Sequence, residues 1–228
     1  MVIPKVQCAA DLTFVADMVR YLAPERQAPA HADGSDAGPV RLLALIESAR
    51  AVTDLREICA VAGAVHLDGL IFAAEDFALD LSLTRTPSLR EFLYARSAIA
   101  TAARAARLAS TVDLVCTAFR GPEGRARLET ESRDGRGLGF NGKQCIHPDQ
   151  VPVVQDLFSP REDETAWAVR VLVADKKATS AGMGAFTLDG SMIDAPVVNK
   201  ARVLVEKAER CGLDVKGLRE KWKDVEPE

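Results

Sequence analysis

Two apolar runs in this chain each end in carboxylates. RLLALIES, residues 41–48, runs into Glu47, and GLIFAAED, residues 69–76, runs into Glu75 and Asp76. Short apolar runs separated by one helix's worth of chain read as buried parallel strands. In a parallel α/β sheet or barrel all strand C-termini point the same way, and sites form there. Glu47 and one of Glu75 and Asp76 can then face one cavity. That is a cradle for a hard cation such as Mg²⁺, which takes one or two protein carboxylates and completes its shell with water and substrate oxygens. Neighbouring strand residues point to opposite faces, so only one of Glu75 and Asp76 is expected to reach the cation. The competing reading of each carboxylate is a strand-end acid paired with a nearby arginine.

Other residues offer chemistry with a structural alternative beside it. Asp194 precedes Ala195-Pro196 and reads as a helix N-cap. Asp189 reads as a turn residue before Gly190. His147, at a strand end before Pro148, either touches the site or is satisfied by hydrogen bonds under its loop. Lys5, at the end of the first strand, either binds a carboxylate or phosphate or makes a structural ion pair. The glycines of 139–142 and 182–184 resemble phosphate-cradling loops only weakly, and no nucleotide site is assigned to them. Cys8, Cys59, Cys116, Cys145 and Cys211 are scattered without a C-x-x-C pair, which argues for reduced thiols over a disulfide framework or a zinc site.

The 228 residues suit one large domain ahead of two small ones, and 48% hydrophobic content supports a substantial core. The net charge of -4 is spread without a basic stripe, and aromatic residues make up only 5%, which speaks against a nucleic-acid platform. No apolar run approaches the roughly 18 residues of a membrane span. MVIPKVQCAADL has the features of neither a signal nor a transit peptide. The expected location is therefore cytoplasmic, or mitochondrial if a longer form carries a transit segment.

The elements that would position these residues follow in order. A strand at 2–6 leads into an amphipathic helix over 9–22. Pro24–Pro39 is a loop whose His31 is given no role. A strand over 40–46 precedes a helix over 49–62, with Ser48 as its N-cap, and a strand over 67–73 leads into Glu75-Asp76. Residues 77–89 read as a loop, 90–109 as a helix, 112–119 as a strand, and 120–139 as a short charged helix followed by a loop. A short strand at 143–146 precedes helices over 149–158 and 160–179. A glycine-rich hairpin or flap over 180–189, a helix over 195–211 and a frayed tail from Lys216 complete the chain. Strictly alternating strand–helix units imply a parallel sheet with helices outside it. The expected division is a partial barrel over 1–179 and a lid segment with its helix over 180–228.

LLALIESARAV, GLIFAAEDFALDL, GLGFNGKQCIHPDQV and GAFTLDGSMIDAPVV, in that order and spacing, resemble the citrate lyase beta subunit-like proteins of the HpcH/HpaI aldolase and malyl-CoA lyase superfamily; the opening IPKV resembles that family's lPKv strand. The resemblance implies a (β/α)8 barrel of TIM type with a C-terminal helical lid, assembled as homo-trimers or hexamers. About five of the eight strands are expected here, because the family's LxVPG, DLEDsV and RiN segments are not in the sequence. It implies cleavage or formation of a C–C bond in a malyl-CoA, citramalyl-CoA or citryl-type thioester. The products are acetyl-CoA and a 2-oxo acid such as glyoxylate or pyruvate. It implies Mg²⁺ held by Glu47 and Asp76, with Glu47 also facing the substrate. Asp194 is implied as the proton-transfer residue, supplied to a neighbouring subunit's site. A non-catalytic short form that joins full-length subunits, and an aldolase of free 2-oxo acids, are the alternatives.

Overall fold

The structure is a computed structural model and describes residues 1–27 and 38–228. Most of the expected 24–39 loop, His31 included, lies outside the described residues. The chain divides into two compact units, Met1–Phe158 and Ser159–Glu228.

The first unit is built on a five-stranded parallel sheet, β1 (Val2–Ile3), β2 (Leu42–Ile46), β3 (Leu67–Phe72), β4 (Ser110–Asp113) and β5 (Gly142–Lys143), in that spatial order. Helices α1 (Ala9–Leu22), α2 (Ala49–Thr53), α3 (Leu55–Ala60), α4 (Ala62–Val65), α5 (Ala74–Leu81), α6 (Leu93–Ala105), α7 (Gly121–Gly137) and α8 (Gln150–Phe158) connect the strands or follow the last of them. In β2 the alternate residues Leu42, Ala44 and Ile46 are buried, and β3 is buried along nearly its whole length. Ile46 pairs with Phe72, so Glu47 leaves its strand level with Ala73. At Gly69 a Cβ would stand 2.5 Å from the Ser110 Cβ, so the close approach of β3 and β4 requires glycine there. Phe72, Phe77 and Phe92 meet edge to face, with ring centroids 5.4–6.4 Å apart, and tie the end of β3 to α5 and to the turn before α6.

Several boundaries differ from the sequence reading. The single helix expected over 49–62 is broken at Asp54 and Val61, both near φ -90°, ψ 0°, a sparsely allowed region of backbone space. Its N-cap is as expected: the Ser48 hydroxyl accepts the Ala51 N–H at 3.2 Å. The expected loop at 77–89 begins as α5, which buries Ala74, Phe77 and Ala78. The apolar run passes from β3 into this helix with no turn residue to mark the change. The short helix expected after Arg120 is 17 residues long. It turns Gly124, Leu128, Glu131, Ser132 and Gly135 inward, a buried face that carries almost no hydrophobic signal.

The second unit packs α9 (Glu162–Ser180), α10 (Ala195–Arg210) and α11 (Val215–Lys221) with the hairpin β6 (Phe186–Leu188) and β7 (Ser191–Ile193). Its own core joins Val169, Val171, Ala174, Phe186, Leu188, Ile193, Val198 and Val205. Asp189 and Gly190, at φ 51° and 73°, form a two-residue turn of the kind that matches strand twist. The unit begins earlier than the expected 180, because α9 packs on α10 and α11. The expected fraying from Lys216 gives way to α11, whose first turn is capped by Asp214 accepting the Gly217 N–H at 2.8 Å. No described helix is long and apolar enough to cross a membrane.

Candidate functional site

At the C-terminal ends of β2 and β3 a cavity of about 240 Å³ is lined by Lys5, Gln7, Glu47, Ser48, Asp76, Leu79 and Asp80. Glu47 is 8% exposed and follows directly on β2. Its Oε1 accepts the backbone N–H of Lys5, which holds the left-handed backbone conformation (φ 56°). The Lys5 ammonium lies 3.2 Å from Asp76 Oδ1 and 3.8 Å from Glu47 Oε1. The hydrogen bond to Asp76 and the negative charge of Glu47 raise the Lys5 pKa above the usual lysine value. Both carboxylates therefore converge on a single cation position.

Glu75 and Asp76 are not the strand-end pair the sequence suggested. They occupy the first turn of α5, where successive side chains are rotated by about 100° around the helix. Asp76 lines the cavity, while the Glu75 carboxylate pairs with the Arg85 guanidinium. Asp80, one helical turn beyond Asp76, also lines the cavity, and its Oδ2 accepts the Ala49 N–H at 2.7 Å. Sequence reading missed Asp80, although the i, i+4 spacing would have found it once α5 was read as a helix.

The donor set suits Mg²⁺. It offers oxygen ligands only: Glu47 buried with one oxygen engaged, and Asp76 half exposed. The cavity volume equals that of roughly eight waters at liquid density, leaving room for a hydrated ion and substrate oxygens. Among the described residues no cluster of three or more His, Cys, Asp or Glu gathers around a common point.

Beside this cavity runs a buried ionic network that no sequence pattern announces. Arg85 donates from Nη2 to both Glu131 oxygens at 3.1 Å and to the Val115 carbonyl at 3.0 Å. Glu131 also accepts from Arg127 Nε at 2.9 Å and lies 3.4 Å from the Lys143 ammonium. Burial raises the Glu131 pKa, but Lys143, Arg127 and Arg85 outweigh it and hold the carboxyl below its ordinary value. Burial dominates at Lys143, whose pKa is lowered. Arg96, at 1% exposure, grips Asp113 through two bonds of 3.0 and 2.7 Å and reaches Asp134 at 2.6 Å.

His147 stacks on Phe119, with ring centroids 5.3 Å apart, and its Nδ1 accepts the Asp149 N–H at 3.3 Å. Asp194, in the second unit, caps α10: its Oδ1 accepts the Val197 N–H at 3.2 Å. A larger groove, of about 690 Å³, lies over Val52, Leu55, Cys59, Tyr94 and Thr101. Arg56 is the one charged residue in its lining, so it brings no convergent polar groups together.

The family model for HpcH/HpaI aldolase/citrate lyase matches residues 1–148. The citrate lyase subunit beta-like protein of Deinococcus radiodurans is 37% identical to this chain, over 90% of it and 65% of the relative. The mitochondrial citramalyl-CoA lyase of Homo sapiens is 33% identical, over 91% of this chain and 59% of its own length. This chain thus spans less than two thirds of either relative. The structure of CitE from Mycobacterium tuberculosis in complex with magnesium, acetoacetate and coenzyme A is 30% identical, with a TM-score of 0.65 over 91% of this chain and 67% of that one. A citrate lyase from Burkholderia xenovorans LB400 matches with a TM-score of 0.76 over 96% of this chain and 67% of that one. At 20% identity that second likeness speaks for the fold alone. The α/β architecture with five parallel strands is thus that of the citrate lyase beta and HpcH barrels.

Proposed function

Because the chain belongs to the HpcH/HpaI aldolase/citrate lyase family, we propose that it is a Mg²⁺-dependent carbon–carbon lyase acting on a malyl-CoA, citramalyl-CoA or citryl-type thioester. The observation that carries this reading is the convergence of Glu47 and Asp76 on one cation position at the C-terminal rim of the sheet. Relatives lend support: one is a citramalyl-CoA lyase, and CitE was crystallised with magnesium, acetoacetate and coenzyme A.

Glu47 and Asp76 would hold the metal. Bound there, Mg²⁺ supplies Lewis-acid polarisation of the carbonyl and carboxylate oxygens of a 2-oxo acid such as pyruvate or glyoxylate. Glu47 is oriented for this by the Lys5 N–H, which engages one carboxylate oxygen and leaves the other for a ligand. Asp76 is presented by the first turn of α5, where the helix N-terminus favours an ionised carboxylate. In synthesis, Asp194 takes a methyl proton of acetyl-CoA; in cleavage it returns that proton to the enolate carbon. The α10 cap uses Asp194 Oδ1, so Oδ2 is the oxygen assigned to the proton. Asp194 would come from a neighbouring copy of the chain, in a trimer or hexamer.

The test is release of acetyl-CoA from citramalyl-CoA and malyl-CoA by the purified chain, with and without Mg²⁺. Metal-dependent release is expected, abolished by Glu47→Ala and Asp76→Asn. Asp194→Asn should lower turnover by about 10²-fold or more while leaving helix content unchanged, since asparagine caps as well as aspartate does. No release from the unsubstituted chain overturns the lyase reading. Turnover of free 2-oxo acid aldols but not thioesters overturns its CoA part.

A further inference from the structure

Arg85 is the one described residue that bonds both to the acidic first turn of α5 and to the buried ionic network. Its side chain is 11% exposed, against 50% for the Glu75 carboxylate it holds. One face of the guanidinium fork is fixed by Glu131 and by the Val115 carbonyl. Glu131 is itself held by Arg127 and Lys143, so the anchor reaches into α7 and β5. The other terminal nitrogen holds Glu75.

We propose that Arg85 is a positioning residue for the metal pocket: its guanidinium ties the first turn of α5, and with it Asp76, to the buried Glu131. The inference rests on the reading of Glu47 and Asp76 as metal ligands. Apart from the Lys5 ammonium, which bonds Asp76 directly at 3.2 Å, the remaining restraints on this turn act on its backbone and its apolar side. Ala73 N–H donates to the Ile46 carbonyl at 3.0 Å, Gln144 Nε2 donates to the Phe72 carbonyl at 2.9 Å, and Phe77 is buried among aromatic rings. These fix where the helix starts. Arg85 holds the polar side of the turn, which carries the adjacent Glu75 and Asp76. A lysine at 85 would keep the charge, but its single nitrogen cannot span acceptors on two sides as a planar fork does.

Charge alone and positioning give opposite signs, and the experiment reads that sign. Arg85 is a cation on the residue next to a proposed metal ligand, so removing it would tighten metal binding if only its charge mattered. Loss of positioning weakens binding instead, by about 10–100-fold for groups that orient ligands. The measurement is the dissociation constant for Mn²⁺, used as the probe and read from the electron paramagnetic resonance of the free ion. It is made on the full chain and on its Arg85→Met, Arg85→Lys and Glu75→Gln variants, with helix content checked by circular dichroism. Weaker Mn²⁺ binding in Arg85→Met and in Glu75→Gln, not restored by Arg85→Lys, is expected. Binding by Arg85→Met as tight as that of the unsubstituted chain, or tighter, overturns the proposal. If Arg85→Met does not fold, Arg85→Lys decides, because it keeps the charge and lacks the fork; binding there as tight as that of the unsubstituted chain overturns the proposal. Absence of saturable Mn²⁺ binding in the unsubstituted chain overturns this proposal and the metal reading together, an outcome distinct from normal binding that ignores residue 85.

Discussion

Lys5 serves Glu47 twice, through its backbone N–H and through its ammonium. The sequence marked both residues as candidates and left Lys5 between two readings, a ligand for an anion and a structural ion pair. The ion pair is the one present, but with the two proposed metal ligands as its partners. If those carboxylates bind a divalent ion, the ammonium competes with it for the same place. Lys5→Met is therefore expected to tighten Mn²⁺ binding several-fold, and weaker binding would count against the competition. The Lys5 pKa is raised in the fold, so its favourable contribution is complete below the unfolded value near 10.5 and is lost only as pH rises through the higher folded value. The competition should accordingly be flat between about pH 6 and 9, well below that range. What the sequence could not give at this scale was the partners of Asp80 and Arg85. Each acts through a partner far along the chain, Ala49 in one case and Glu131 in the other, and no local pattern announces such a pairing.

Among the elements, strands β2 and β3 were legible because alternate or continuous burial writes itself into apolar runs. Helices α5 and α7 were not. The first follows β3 without a turn signal, and the second meets the core with glycine, serine and glutamate. At Gly135 a Cβ would stand 2.3 Å from Asp113 Oδ2, so glycine at this position is what lets α7 lie against the ion pair. That pair joins α6, β4 and α7 through Arg96, Asp113 and Asp134. Arg96→Met would leave Asp113, fully buried, with only the Lys143 ammonium at 4.0 Å. Removing one member of a buried pair costs about 3–5 kcal/mol, so a drop of that order in unfolding free energy is expected in urea titration. Adding Asp113→Asn to Arg96→Met should recover part of the loss, because the uncompensated charge is then gone.

For the whole molecule, alternation of strands and helices was enough to indicate a parallel α/β fold, and the four motifs indicated the family. The division of the chain was harder to read. Helix α10 is amphipathic, and a periodic pattern tells which face of a helix is buried but not against which neighbour. The second unit has a core of its own, assembled from three helices and a hairpin. Residues 159–228 expressed alone are therefore expected to show a helical circular dichroism spectrum and a cooperative, low-temperature melt, as suits a unit of this small size. A flat, non-cooperative melt would show that this core needs residues from the rest of the chain.

The left-handed backbone at position 5 has a consequence for how this protein can vary over generations. Glycine or asparagine would accept that conformation without strain, yet neither carries a positive charge. Arginine would keep the charge but carries it as a broad planar fork in place of a compact ammonium. No one-step replacement supplies both the backbone and the cation that Glu47 and Asp76 share. A change away from lysine here therefore alters either the charge that lies between the two acids or the shape of the group that carries it.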